Sequence, residues 1–244
     1  MKKNNMLAFV LKRTDLKEFD QIITLFTSEK GKIEVLAKGV KKVTAKNSAF
    51  LELFFLIEAE IVEGKEFLRL TTATPVESFK EIRADWQKSL LVGYICEILA
   101  RLLPNNQPES KIFKLFFSFL KFLVEVKEIS RIFSIAFIWK VFALQGYLPV
   151  LDACVVCGEG YNLNFFSSLN GGLLCDNCRD KNLYLQKAIL LKDKDKENLK
   201  MLVRNDWLDI KISKEDGEKQ EKILSDFCAY HSEKKVPVLN FLVN

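Results

Sequence analysis

Between residues 6 and 75, apolar positions come in short runs rich in β-branched and aromatic residues, at 7–13, 22–27, 32–37, 51–62 and 67–74. Alternation is clearest late in the fourth run. There Ile57, Ala59 and Ile61 fall on one face, and Glu58 and Glu60 on the other. Glu29-Lys30-Gly31 and Glu63-Gly64-Lys65 supply turn chemistry between runs. Five strands with no substantial helix among them predict a small closed barrel, for which the OB-fold is the five-stranded candidate.

The period changes after Pro75. Trp86, Leu90, Leu91, Tyr94, Ile98 and Leu102 repeat at helical spacing over residues 84–103, and Pro104 stops the helix. Residues 111–126 and 130–145 predict two further helices, the second closed by Gly146 and Pro149. Both are apolar most of the way round, which places them inside a bundle. Residues 183–244 read as helical again, with charged stretches at 192–197 and 214–222 that read as solvated faces. The expected class is α+β and multidomain: a barrel at 1–78, helices at 79–149, a cysteine-rich insertion at 150–182, and helices at 183–244.

Length and composition fit this picture. A chain of 244 residues, 49% apolar with 20 Phe, can bury a real core. The apolar run at 6–11 is short and ends at Lys12-Arg13 without a small-residue cleavage site, so no secretory leader is expected. Residues 112–126 and 132–144 are too short and too charged to span a bilayer. Six cysteines in such a chain indicate a reducing, cytoplasmic setting, with metal or free thiols rather than disulfides.

Four of them are paired. Cys154-x2-Cys157 and Cys175-x2-Cys178 are separated by 17 residues. Two residues between cysteines allow a tight turn that points both sulfurs at one ion, and Gly158 can take the backbone shape of that turn. Four thiolates complete a tetrahedral zinc site, with iron as the alternative occupant. A closed four-sulfur cage leaves no position for a reacting water, so its role reads as structural. Cys96 and Cys228 lie in apolar settings and read as buried thiols.

Enzyme signatures are scarce. With one histidine, His231, no histidine-based metal triad can form, and phosphate loops, zincin helices and nucleophile elbows are missing. The chain reads as non-catalytic. The net charge of +5 suits an anionic partner, and its placement is informative. The stretch 38–46 carries Lys38, Lys41, Lys42 and Lys46 with no acidic residue, and joins the third and fourth strands. Lys12 and Arg13 end the first strand and Arg69 lies in the fifth. On a barrel, such residues line the groove that tracks a nucleic-acid backbone. Phe9, Phe26, Phe54 and Phe67 are available as stacking platforms or as core.

The order of barrel, helices, four-cysteine unit and helices resembles the RecO family of bacterial recombination mediators. Asp20-Gln-Ile-Ile-Thr-Leu-Phe-Thr-Ser-Glu-Lys-Gly-Lys-Ile33, followed by Ala37-Lys-Gly39, resembles the family's opening run. Gly146-Tyr-Leu-Pro149, leading to Cys154-x2-Cys157-Gly158, is similar to its entry to the metal site, and Gly171-Gly-Leu-Leu-Cys175 to the exit. His231 through Leu242, with Pro237 and Phe241-Leu242, resembles its closing segment. The loop after Lys38-Gly39 departs from the family in using lysine where arginine is common, and lysine meets phosphate as a point charge.

The resemblance implies an N-terminal OB-fold and a mostly helical C-terminal domain containing a zinc finger. It implies binding to single- and double-stranded DNA, annealing of complementary strands, and cytoplasmic, nucleoid-associated work. RecR and the acidic C-terminal tail of single-strand-binding protein are the implied partners, and RecA is loaded as the outcome. Two other classes remain open on residues alone: a zinc-containing protein-interaction scaffold with incidental DNA contact, and a nuclease, for which no acidic metal-ligand pattern is found.

Overall fold

The first apolar run belongs to a longer strand, β1 (Lys3–Asp15). Its first half pairs with β4 (Leu56–Val62) and its second half with β2 (Gln21–Thr27), so one strand bends around two neighbours. The bend falls at a bulge: Val10 faces Leu25 and Lys12 faces Thr24, leaving Leu11 as the extra residue. With β3 (Gly31–Ala37) and β5 (Leu68–Glu77) the sheet closes in the order β1-β2-β3-β5-β4. β3 and β5 run parallel and the other pairs antiparallel. This is the expected five-stranded OB-fold barrel. The computed structural model describes residues 3–45, 47–64, 67–181, 185 and 187–231.

Met6, Ala8, Val10, Ile23, Leu25, Ile33, Val35, Ile57, Ala59 and Ile61 fill the barrel, as the alternation in the fourth run requires. Two boundaries differ from the sequence reading. Residues 51–55 do not extend β4. Phe54 takes φ 54° and donates its N–H to the Val10 carbonyl at 2.8 Å. Leu51, Phe54 and Phe55 are apolar because they are buried, and Phe54 and Phe55 meet β1 through two backbone hydrogen bonds at Val10. β5 runs on through Pro75, which lies opposite Ile57 beside a register shift, and ends at Glu77.

Short α1 (Lys80–Ala84) leads into α2 (Trp86–Leu102) and α3 (Ser110–Glu125). Asp85 caps α2 by accepting from the N–H groups of Gln87 and Lys88, and the chain turns extended at Leu103 before Pro104. Phe113 and Phe116 of α3 lie 4.9 and 4.8 Å from the Phe9 ring, and Phe113 lies 5.4 Å from Phe26. β1 is thus buried on both faces, which is why residues 6–11 show no alternation. The α2–α3 connection meets the β2–β3 turn. Asn106 N–H donates to the Lys32 carbonyl at 2.8 Å, and Lys32 Nζ donates to the Ala100 carbonyl at 2.7 Å. A Cβ at Gly31 (φ 69°) would stand 1.7 Å from the Gln107 oxygen, so the turn admits only glycine.

The last strand of the barrel, β5, ends at Glu77. The chain's compact units nevertheless divide later, into Met1–Lys127 and Glu128–Asn244. The Phe9–Phe113–Phe116 packing makes the helices up to residue 125 an outer layer of the barrel unit.

The second unit is built around α4 (Ile132–Leu144), buried on nearly all sides. It ends at Gly146 (φ 88°) before Pro149. A hairpin of β6 (Leu163–Ser167) and β7 (Gly172–Cys175) follows, then α5 (Asp176–Lys181), β8 (Ile189–Leu190), α6 (Asp193–Arg204) and α7 (Lys214–His231). Phe227 of α7 stacks within 4.8 Å of Trp139, 5.4 Å of Phe142 and 6.3 Å of Phe166, tying helices and hairpin into one core. The charged stretch at 192–197 is not wholly solvated. Asp195 is buried, accepts the Lys192 N–H at 2.7 Å, and pairs with Lys219 at 2.5 Å. Residues 232–244, which carry the closing segment of the resemblance, lie outside the described residues. No helix among the described residues is long and apolar enough to cross a membrane.

Candidate metal centre and nucleic-acid surface

Residues 150–155 lie along the β6–β7 hairpin. Val150 N–H donates to Gly171 O at 2.9 Å, Leu173 N–H to Val150 O at 2.8 Å, and Val155 N–H to Leu173 O at 2.9 Å. This seats the first cysteine pair against the strand that ends in the third cysteine. Gly172 makes the approach possible, because a Cβ there would meet the Val150 oxygen at 2.5 Å. Gly158 takes φ 81° and donates its N–H to Cys154 O at 2.9 Å, closing the turn between the first two sulfurs. Cys175 ends β7 and Cys178 lies one turn into α5.

The four Sγ atoms of Cys154, Cys157, Cys175 and Cys178 all lie within 4.8 Å of one another, and those of Cys157 and Cys175 are 3.7 Å apart. Sulfurs held at about 2.3 Å around a tetrahedral ion stand about 3.8 Å apart, so the cage has the size a metal ion needs. Burial raises the Cys154 thiol, but N–H donors from Cys175, Cys157 and Val156 outweigh it and bring the group down to about 6. Cys178 is pushed up to about 12, first by its hydrogen bond with Cys157. The turns thus stabilise one thiolate, and a cation is what allows all four. Cys96 and Cys228 are buried elsewhere, and burial raises both thiols, Cys228 to about 12. Neither joins the cage.

The basic residues expected to contact nucleic acid separate into two groups. Lys38 and Lys42 are exposed at the start of the β3–β4 connection. With Lys17, Glu18, Phe19, Asp20 and Gly39 they line a shallow cavity of about 520 Å³. Asp20 accepts the Gly39 N–H at 2.7 Å, and Lys41 N–H donates to Phe19 O at 3.1 Å, clamping this loop to the β1–β2 loop. Arg69 lies opposite Leu36 at the β3–β5 seam, two positions before Lys38. The remaining cations have internal partners. Lys12 pairs with Glu97 of α2 at 3.4 Å. Arg13 pairs with Glu52 and donates to Gln21 at 3.3 Å. Lys41 pairs with Asp15 at 2.8 Å, and this hydrogen bond, followed by one from Gln21, holds the Asp15 carboxyl below its ordinary range. Lys46 lies outside the described residues.

Phe9, Phe26 and Phe54 are core, while Phe67 is 46% exposed after the β4–β5 turn. Lys17 and Phe19 are not among the residues that charge and periodicity single out. The signal for Phe19 was an aromatic residue amid the charges of Asp15, Lys17, Glu18 and Asp20, between two strands, where no periodicity asks for it. Phe19 is 41% exposed, with the Lys42 ammonium 5.6 Å from its ring centroid.

Comparison with known proteins bears on the whole chain. Residues 1–79 match the family described as "Recombination protein O N terminal", and residues 83–239 the family described as "Recombination protein O C terminal". The chain is 30% identical to the DNA repair protein RecO of Thermoanaerobacter sp. over 240 residues, 97% of this chain and 96% of that one. It is 33% identical to the protein of the same name from Caldanaerobacter subterraneus subsp. tengcongensis over 173 residues, 71% and 70% of the two chains. A 27% identity to the RecO of Bifidobacterium animalis subsp. lactis again covers 96% and 97%. With the barrel, the clustered cysteines and both family matches in their expected order, this chain belongs to the RecO family.

Proposed function

We propose that this chain is a DNA-binding mediator of recombinational repair. It anneals complementary single strands and helps load the recombinase onto DNA coated by single-strand-binding protein. The observation that carries this reading is the tandem match of both RecO families, one of them on a closed OB-fold barrel with free lysines beside its β1–β2 loop. Related chains carry the name DNA repair protein. Loops of this kind are where OB-folds hold oligonucleotides.

The mechanism is electrostatic, with no covalent step. Lys38 and Lys42, joined by Arg69 and by Lys41 when Asp15 releases it, neutralise phosphates and release their counterions. Two complementary strands screened in this way approach one another more readily. Lys12 and Arg13 act through their ion pairs to hold the barrel's outer layer and the 51–55 turn. The four cysteines hold one structural zinc ion that organises the hairpin and α5. RecR and the tail of single-strand-binding protein are the protein partners in this reading, and the protein works in the cytoplasm, in association with the nucleoid.

The test is annealing of complementary oligonucleotides across a salt series, with and without single-strand-binding protein. Alanine at Lys38, Lys41 and Lys42 together should slow annealing and flatten its salt dependence. Unchanged rates and slope would remove the loop from the DNA surface. Failure of the wild-type chain to anneal any strand pair would remove the function.

A further inference from the structure

The Phe19 site rests on the DNA-binding reading above and adds what that reading lacks, a means of telling an unpaired base from a paired one. Phosphate contacts alone do not separate the two. We propose that Phe19 is a base-stacking platform, and that its cavity takes one unstacked nucleotide of a single strand.

The placement is specific. Phe19 lies in the loop between β1 and β2, two residues before β2 begins. Three hydrogen bonds hold that loop open. Leu16 and Lys17 N–H donate to the Asp20 carbonyl at 3.1 and 3.3 Å, and Lys41 N–H donates to Phe19 O at 3.1 Å. The Asp20 carboxylate also lines the cavity and is oriented by the Gly39 N–H at 2.7 Å, so two carboxylates, Asp20 and Glu18, stand beside the lysines. A large aromatic side chain on a tied-down loop is not a packing leftover: Phe9 and Phe26 of the flanking strands are fully buried, whereas Phe19 keeps 41% of its surface in solvent.

The cavity of about 520 Å³ has room for a base beside the ring. Around it stand Lys17, Lys38 and Lys42, against these two carboxylates. The Lys42 ammonium stands over one face of the Phe19 ring, 5.6 Å from its centroid; a base stacking on that face displaces it, and its charge then meets the phosphate of that nucleotide.

A base is available to Phe19 only while it is unpaired. Stacking therefore favours the single strand over the duplex, and pairing withdraws the base from the ring. The platform strengthens the hold on the substrate of annealing and loosens the hold on its product. Base–aromatic stacking is sequence-tolerant, so no particular base is required.

The experiment measures binding of the full chain to a single-stranded oligonucleotide, to the same oligonucleotide with abasic sites throughout, and to the duplex. Phe19→Ala should weaken single-strand binding about 5- to 100-fold, leave the abasic strand and the duplex unchanged, and leave the salt slope unchanged. Phe19→Trp should restore the single-strand preference. Full single-strand affinity in Phe19→Ala, with affinity lost in Lys38→Ala/Lys42→Ala, overturns the platform and keeps the phosphate surface. Equal losses on all three probes, or no rescue by Phe19→Trp, also overturn it, since they mark a collapsed loop. Absence of strand binding by the wild-type chain instead sinks the DNA-binding reading itself.

Discussion

Gly172→Ala tests the geometry of the metal unit without touching a sulfur. The added methyl would stand 2.5 Å from the Val150 oxygen, 2.7 Å from Val155 Cγ1 and 2.9 Å from Val150 Cβ. The first of these is backbone and has no rotamer to change. Relief requires the 150–155 segment to move away by close to an ångström. The Leu173 N–H to Val150 O bond, now 2.8 Å, and the Val150 N–H to Gly171 O bond, now 2.9 Å, do not survive that shift. Two lost backbone bonds cost about 1 kcal/mol each. Overpacking against Val150 and Val155 adds about 1–3 kcal/mol, giving a total of about 3–5 kcal/mol. For a unit of this size that lowers the melting temperature by roughly 10–20 °C. Gly160→Ala is the matched control, because its methyl would meet only the Asp152 oxygen at an ordinary 3.6 Å. Thermal unfolding followed by tryptophan fluorescence, with metal content measured on the same samples, gives the readout. If Gly172→Ala melts with Gly160→Ala and keeps its full metal content, the reasoning about how the first cysteine pair is seated is wrong.

Three further outcomes are expected. Cys175→Ser should abolish metal binding and lower the unfolding temperature of the second unit, and metal analysis with a thermal melt checks both; a variant that keeps one ion per chain contradicts the four-sulfur cage. Phe9→Ala removes a ring that touches Phe113 and Phe116 within 5 Å and should cost about 3–5 kcal/mol in chemical denaturation, against less than 1 kcal/mol for the exposed Phe67→Ala. Asp15→Asn frees Lys41 and should steepen the single-strand salt slope by about 0.7, the value for one added phosphate contact. The same release follows acidification. Asp15 is depressed by its hydrogen bond to Lys41, so the pair persists at and above ordinary carboxylate titration and is lost as pH falls through the lower folded value. Binding measured down that range should converge between wild type and Asp15→Asn, and parallel curves would refute the link.

The features that could be read from the chain are those fixed by local rules. The cysteine spacing is set by what one ion demands of two short turns, and both turns stand where the spacing puts them. The barrel showed through its turns and through Ile57, Ala59 and Ile61, which alternate because β4 has one face inside. β1 reads short, at 7–13, because Phe9 on its outer face is buried by α3, and a doubly buried strand has no alternation to mark its ends. Residues 51–55 read as strand because Leu51, Phe54 and Phe55 are apolar, although their burial comes from a turn with positive φ at Phe54. The candidate nucleic-acid residues were legible as charges but not as free charges. Lys12 stands 3.4 Å from Glu97, 85 positions along the chain, which also pairs with Arg101, and only the fold brings them together. Phe19 could not be separated from core phenylalanines until the loop that exposes it was built.

The seam that closes the barrel has a consequence for how ligand contact would register. Among the described residues, β3 and β5 share two registered pairs, Val35 with Leu68 and Leu36 with Arg69, where the other strand pairs of the barrel share seven. The segment carrying Lys38 and Lys42 begins one residue beyond the end of β3, beside this least-paired join of the barrel, while the other edge of β3 stays paired with β2 as far as Ala37. Amide protons at that join open at the smallest free-energy cost and exchange with solvent before those of the β1–β2 ladder. A strand of DNA reaching from Lys38 to Arg69 bridges both sides of the join. Bound DNA would therefore act as a sixth, external tie across the barrel, and its arrival would be recorded as slowed deuterium uptake at residues 35, 36, 68 and 69.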